Sequence, residues 1–224
     1  MKIASFFSGA GGLDKGFEQA DFEVIYANEF DSSIWATFEK NFPDTKLDKR
    51  SITEVDSKDV PDVDGIVGGP PCQSWSEAGA RRGFEDKRGQ LFLDYIRILR
   101  EKQPKFFLAE NVGGILHHQH RQAFGNILRD FRDAGYDVFF QLLNAKDYEV
   151  PEDRKRVIIV GFRKDLKISF EFPKAIAKKL TLKNAIGDLP APVASSDAIE
   201  PVRPLTEIPN HEYMTGGFSS MYMS

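Results

Sequence analysis

KIASFFSGAGGLDKGFEQADFEVIYANEF, residues 2–30, is the stretch whose reading decides the fold. Lys2–Phe7 is a short apolar run of the kind that forms a buried strand. It runs into Phe7-Ser8-Gly9-Ala10-Gly11-Gly12, after which Gly11–Ala20 has helical character. Glu23–Ala27 reads as a second strand, with Glu29 just past its end. Strand, glycine turn, helix and strand in this order form the nucleotide-type unit. Its glycines let the backbone turn tightly and bring a ligand close to a helix N-terminus. Glu29 falls at about the 20-residue spacing of a carboxylate that accepts from ribose hydroxyls. A tight turn with no ligand is the competing interpretation.

The dinucleotide fingerprint calls for a third glycine where this chain has Asp14. A carboxylate in the first helical turn repels a pyrophosphate. S-adenosylmethionine, a cationic sulfonium without phosphates, meets no such repulsion, so the turn leans away from NAD. Phe30, beside Glu29, suits an adenine face or ordinary core packing equally well.

Working outward, apolar runs keep alternating with helix-period segments. Ser32–Asn41 carries Ile34, Trp35 and Phe38 at helical spacing, which places Trp35 in the core. Gly65–Gly68 is strand-like and stops at Gly69-Pro70-Pro71. Leu91, Tyr95, Ile98 and Leu99 mark a helix, Phe106–Ala109 a strand, and Gln119–Ala134 an amphipathic helix. Val138–Asn144 and Val157–Phe162 follow as strands with no long helix between them. The alternation predicts an α/β fold with a mostly parallel, doubly wound sheet covered on both faces, and the last two strands an antiparallel edge hairpin. After Arg163 the prolines at 173, 190, 192, 201, 204 and 209 break the pattern. The expected division is a catalytic domain at 1–166, followed at 167–224 by a linker and the start of an incomplete further region.

Composition fits this picture. The 224 residues are 41% hydrophobic and 29% charged, ordinary values for a globular chain. A single cysteine excludes an internal disulfide and any multi-thiolate zinc site. The apolar start before Gly9 is too short for a signal peptide and no window approaches a membrane span, so a soluble cytoplasmic protein with no membrane partner is expected. Net charge is −4, against the basic balance usual in nucleic-acid binders. Local balance differs: Arg154, Lys155, Arg156, Arg163 and Lys164 cluster together, as do Arg81, Arg82, Lys87 and Arg88. His117-His118-Gln119-His120, with no thiol beside it, reads as solvated polar residues rather than a metal site.

The single cysteine, Cys72, sits in GGPPCQSWSEAG, residues 68–79. It follows the end of a strand, where open α/β sheets place their ligands. Its polar surroundings are unlike those of an inert core thiol. A reactive thiolate needs nearby positive charge, for which Arg154 and Arg156 are candidates. On the loop alone, nucleophile and inert thiol are equally supported.

Four motifs then fall into register. Phe7–Gly12, Gly69-Pro70-Pro71-Cys72-Gln73, Glu110-Asn111-Val112 and Arg154-Lys155-Arg156 stand in the order and spacing of the cytosine-5 DNA methyltransferases, and the chain resembles that family as far as about Lys164. The wording around Cys72 is most similar to the bacterial restriction–modification enzymes that methylate GGCC. The resemblance implies a sheet of the S-adenosylmethionine-dependent methyltransferase type, S-adenosylmethionine as cofactor and double-stranded DNA as partner. It further implies that Cys72 adds to carbon 6 of a flipped-out cytosine. Glu110 would hold and protonate N3, and Arg154 and Arg156 would bind the ring carbonyl.

For the cofactor, the resemblance assigns Phe7, Gly9, Ala10, Gly11 and Gly12 to the turn, Glu29 to the ribose and Phe30 to the adenine, with Ser51, Ile52, Pro71 and Leu91 lining the same pocket. Gln73, Ser76, Arg81, Arg82, Lys87 and Arg88 would contact DNA from the loop at 74–90, where Trp75 is a loop anchor or a DNA contact. Relatives usually carry Asp where this chain has Ser51, so weaker cofactor binding than theirs is expected. Asp153 stands where many carry Gln or Lys.

The family also continues into a target-recognition region and a returning segment that completes the cofactor pocket. Asn210-His211-Glu212-Tyr213 and 218–224 look like the beginning of the former. An engineered fragment, a truncated gene and one half of a split enzyme with a separate C-terminal or recognition subunit all fit, and the chain alone is expected to have little activity. The rivals are an RNA cytosine-5 methyltransferase on the same scaffold, a non-catalytic fragment kept for partner interaction and, disfavoured by Asp14, an NAD-dependent oxidoreductase.

Overall fold

The computed structural model describes residues 1–71 and 87–188, with side chains in the second stretch from residue 91 onward. Seven strands form one sheet in the order β3-β2-β1-β4-β5-β7-β6. They are β1 (Lys2–Phe6), β2 (Glu23–Asn28), β3 (Lys46–Asp48), β4 (Gly65–Gly68), β5 (Phe106–Val112), β6 (Tyr136–Asn144) and β7 (Lys155–Arg163). The first five run parallel; β7 pairs antiparallel with both β5 and β6. The expected doubly wound sheet with an antiparallel edge hairpin is therefore present. Sequence reading missed β3, whose three residues are too few to set up an alternating pattern.

Helices α1 (Gly12–Gln19) and α2 (Trp35–Asn41) cover one face; α3 (Lys87–Lys102) and α4 (Arg121–Asp133) cover the other. Alternation along the strands sorts side chains between the two. Ile3 and Val67 turn to Leu13 and Phe17 of α1. Their neighbours Ala4 and Ile66 join Tyr95, Leu99, Ile127 and Phe131 in the main core on the α3–α4 side. There Phe107 stacks on Phe131 at 4.2 Å between ring centroids.

Strand order reverses between β1 and β4. The chain winds outward through β2 and β3, then crosses back to place β4 beside β1. The loops leaving β1 and β4 at their carboxyl ends therefore diverge and open a crevice, the standard ligand position in such sheets. One loop is the glycine turn after Phe6 and the other is Gly69-Pro70-Pro71.

The segment from 167 does not start as a free linker. Phe170 packs on Phe139 and Phe162, and Phe172 packs on Phe170. The Tyr148 hydroxyl donates to the Pro173 carbonyl, Ile176 N–H donates to the Asp147 carbonyl, and Lys179 pairs with Asp147. A short helix, α5 (Leu182–Ile186), follows, started by a capping box between Thr181 and Asn184. Among the described residues no helix is long and apolar enough to cross a membrane.

Candidate active site

The glycine turn has the strained geometry that its sequence implies. Phe7, Gly9 and Gly11 adopt positive φ values of 55°, 55° and 87°. A Cβ on Gly11 would lie 1.9 Å from Phe42 Cε2, so that glycine is required by packing as well as by backbone. Among the described residues a Cβ on Gly9 would meet nothing within 4 Å, so they leave open space there. Glu29 is fixed against it: one carboxylate oxygen accepts from Gly9 N–H and the other from Asp31 N–H, both at 2.8 Å. Each oxygen keeps a further lone pair for a ligand hydroxyl.

Phe30 is 70% exposed, which rules out the core-packing alternative and leaves a bare aromatic face next to Glu29. Trp35 differs from expectation too. It is only half-buried, its indole N–H donates to the Glu29 carbonyl at 2.8 Å, and Lys49 lies 4.9 Å over its ring. An open glycine turn, a carboxylate fixed beside it and an exposed aromatic ring suit an adenosyl group. These residues fit S-adenosylmethionine.

Asp14 is where the sequence argument needs correcting. Its carboxyl does not present charge to a ligand; it is fully buried in α1. It lies near the Ser5 hydroxyl of β1, with neither group making a hydrogen bond of normal geometry among the described residues. Burial pushes it up to about 6.

Ser51 and Ile52 lie in a loop held from β2. Asn28 donates its side-chain amide to the carbonyls of Asp48 and Arg50. Asp48 accepts from Arg50 and from the Tyr26 hydroxyl, and the Arg50 guanidinium holds its carboxyl down at about 2. Ser51 caps the 3-10 turn Ile52–Glu54, its hydroxyl 2.9 Å from that of Thr53. Ile52 is buried in the main core, with Leu91 packed against the same cluster.

The second half of the site stands on β5. The strand extends three residues beyond expectation, to Val112, so Glu110-Asn111-Val112 is its carboxyl end rather than a loop. Antiparallel pairing sets Glu110 opposite Ile158 and Val112 opposite Arg156. Residues opposite or two apart share a face, so Arg156 and Glu110 project together. Their side chains meet at 2.5 Å, from Arg156 Nε to a Glu110 carboxylate oxygen. Arg154 does not join them; its guanidinium is exposed, 3.7 Å from Glu152. Asp153, which had no expected role, accepts from Asn144 and Lys146 and so ties the β6–β7 connection together.

Asn111 faces away from Glu110 and donates to the Pro70 carbonyl at 2.9 Å, fastening the proline loop to β5. A Cβ on Gly69 would be 3.4 Å from Glu110, so the two segments pass closely. Between them is a cavity of about 550 Å³ with Pro70, Pro71, Glu110, Val112 and Ile115 in its wall. His117 and His120 also reach this cavity, which refines the expectation of purely solvated histidines. The structure thus brings Glu110, Arg156 and Pro71 together. Cys72, Gln73, Ser76, Arg81 and Arg82 lie outside the described residues, as do the side chains of Lys87 and Arg88. The clamp from Asn111 to Pro70 was missed because nothing in the sequence around Asn111 points to a residue 41 positions earlier.

Comparison with known proteins agrees with this architecture. The family model for C-5 cytosine-specific DNA methylase matches residues 1–218. The chain is 54% identical to type II methyltransferase M.NgoPII of Neisseria gonorrhoeae, covering 100% of this chain and 67% of that protein. It is 53% identical to M.MthTI of Methanothermobacter thermautotrophicus, covering 68% of it. Among solved structures, a DNA modification methyltransferase encoded within a prophage of E. coli superposes with a TM-score of 0.76 at 30% identity. That match covers 86% of this chain and 56% of the other. DNMT2 of Spodoptera frugiperda gives a TM-score of 0.62 at 26% identity, over 80% of this chain and 54% of the other. The chain spans about two thirds of the length of the curated relatives and little more than half that of the solved ones. It belongs to the C-5 cytosine-specific DNA methylase family, whose relatives here are type II restriction–modification methyltransferases and whose methyl donor is S-adenosylmethionine.

Proposed function

We propose that this chain carries the catalytic part of an enzyme that methylates carbon 5 of cytosine in double-stranded DNA within a restriction–modification system, with GGCC as the target. The observation that carries the reading is the contact between Arg156 and Glu110 beside Gly69-Pro70-Pro71, with Asn111 clamping the loop from which Cys72 continues. A carboxyl paired to a guanidinium on a cavity wall offers complementary groups to one edge of a pyrimidine.

Carbon 5 of cytosine is a weak nucleophile, so the ring must first gain electron density. The Cys72 thiolate adds to carbon 6, forming a C–S bond, while Glu110 delivers a proton to N3. Arg156 orients Glu110 and faces the ring carbonyl; Arg154 reaches the same carbonyl only by leaving Glu152. The electron pair at carbon 5 then takes the methyl group that the sulfonium cofactor supplies. A base removes the carbon 5 proton, the C–S bond breaks to return the thiolate, and N3 gives its proton back to Glu110 as the ring regains aromaticity. Glu29, Phe30 and the open turn at Gly9 would hold the cofactor. The target base must leave the stack for this to occur. Gln73, Ser76, Arg81, Arg82, Lys87 and Arg88 are proposed to contact the duplex, through the segment that follows Cys72.

Two divisions of the chain belong to the same proposal: catalysis within 1–166, and a linker and the start of recognition within 167–224. The test is transfer of a radiolabelled methyl group to a GGCC duplex, with and without a C-terminal region supplied in trans, and with tRNA as a parallel substrate. Transfer to DNA that depends on the added region is expected. Robust transfer by the chain alone would refute the division of labour, and transfer to tRNA alone would refute the substrate.

A further inference from the structure

Arg97 lies on α3, outside every motif named above. Its Nη2 donates to two backbone carbonyls of the neighbouring loop, Ile52 at 3.1 Å and Val55 at 3.0 Å. Its Nε donates to Asp94 at 2.8 Å, and Nη1 lies 3.7 Å from Glu101. Asp94 is nearly buried, so the guanidinium is aimed from within its own helix. The two carbonyls bracket the 3-10 turn Ile52–Glu54: Ile52 is its first residue, whose carbonyl also accepts from Val55 N–H at 3.3 Å, and Val55 is its C-cap. The Ile52 carbonyl thus keeps its bond within the turn and gains Arg97 as a second donor, whereas the Val55 carbonyl lies past the turn's last bond. One guanidinium nitrogen, Nη2, ties the two ends of the turn together.

The loop from Asp48 to Val55 is consequently held at both ends. Asn28, adjacent to Glu29, holds its beginning through the carbonyls of Asp48 and Arg50. Arg97 holds its end from α3. Ser51 and Ile52, the candidate cofactor residues, lie between the two anchors. Without Arg97, the Ser51 end would still be tied to β2, but the turn that sets the direction of Ser51 and Thr53 would be free to unwind.

We infer that Arg97 is a positioning residue for S-adenosylmethionine, acting through the backbone of Ile52 and Val55 to fix the wall of the cofactor pocket. The inference rests on the proposed cofactor site. It also accounts for an arginine rather than a lysine at this position. The guanidinium uses Nε for Asp94 and Nη2 for both carbonyls, two nitrogens fixed in one plane where an ammonium has a single one.

The test measures two quantities on the whole chain: amide hydrogen exchange at Thr53, Glu54 and Val55, and calorimetric affinity for S-adenosylmethionine. R97M keeps the aliphatic stem and removes the donors; R97K keeps one charge-assisted donor. R97M is expected to speed exchange at those amides at least tenfold and to weaken affinity about fivefold to twentyfold, with R97K intermediate in both. L128A, a core change in α4 remote from this loop, lowers thermal stability and is expected to leave affinity within twofold. Wild-type affinity in R97M would overturn the inference, with or without faster exchange, and so would equal weakening by L128A. Failure of the wild-type chain to bind S-adenosylmethionine even with a relative's C-terminal region supplied in trans would instead overturn the cofactor reading on which the inference rests.

Discussion

Asp14 and Ser51 show how one side chain can carry a consequence that its motif does not announce. Asp14 is buried and held up to about 6, against 3.8 for an ordinary aspartate. Its folded pKa exceeds the unfolded one, so the native state binds the proton more tightly, and stability falls as pH rises from about 4 to about 6. Above that range the penalty is constant, on the order of 3 kcal/mol from the size of the shift. Asp14→Asn removes the ionisation. The stability difference between D14N and wild type, from urea unfolding, should be small at pH 4, grow through pH 6 in favour of the variant, and then level off. A difference that does not change with pH would mean that the carboxyl is not titrating in this range. Ser51 gives a second expectation at this scale. Ser51→Asp keeps an N-cap acceptor for the 3-10 turn and adds a charge-assisted partner for an adenine amine. It should tighten S-adenosylmethionine binding several-fold by calorimetry; unchanged affinity would remove Ser51 from the pocket.

At the scale of the element, the glycine turn separates structural from ligand-facing roles within three residues. Gly11→Ala places a methyl into Phe42 at a positive φ, and should cost on the order of 2–4 kcal/mol of stability by chemical denaturation. Gly9→Ala meets no atom within 4 Å among the described residues and incurs only the left-handed backbone penalty, about 1 kcal/mol. It should nonetheless lower affinity for S-adenosylmethionine at least tenfold, because the methyl occupies the open side of the turn. If G9A bound the cofactor normally while G11A behaved as expected, the turn would be a packing feature only. The same element shows what a sequence discloses. Glycine positions and the distance to Glu29 are local and were readable. The exposure of Phe30 and the inward turn of Asp14 were not, because each depends on what the rest of the fold places against that residue. Glu110-Asn111-Val112 is similar. Its residue types pointed to the site, yet its position at a strand end came only from pairing with β7, a partner more than forty residues away.

Across the whole molecule, the sheet order is what makes separate motifs one site. The reversal between β1 and β4 opens the crevice, β5 brings Glu110 beside the loop after β4, and antiparallel β7 returns Arg156 to Glu110. Period and turn chemistry disclosed the alternating layers and the antiparallel edge. The long-range fasteners, Asn111 to Pro70 and Arg97 to Ile52, were invisible because they join a side chain to backbone carbonyls, which carry no sequence signature. Arg154 marks the limit of motif reading: the type and spacing match, but the guanidinium is turned to Glu152.

The central claim is that Cys72, continuing from the clamped proline loop, bonds covalently to a cytosine held by Glu110. A GGCC duplex carrying 5-fluorocytosine at the target tests it, because fluorine at carbon 5 blocks release of the thiol after methyl transfer. In a preparation that methylates the unsubstituted duplex, a denaturation-resistant protein–DNA adduct should form, map to the peptide containing Cys72 and vanish in C72S. Methyl transfer without any adduct, or an adduct that survives in C72S, would contradict the account.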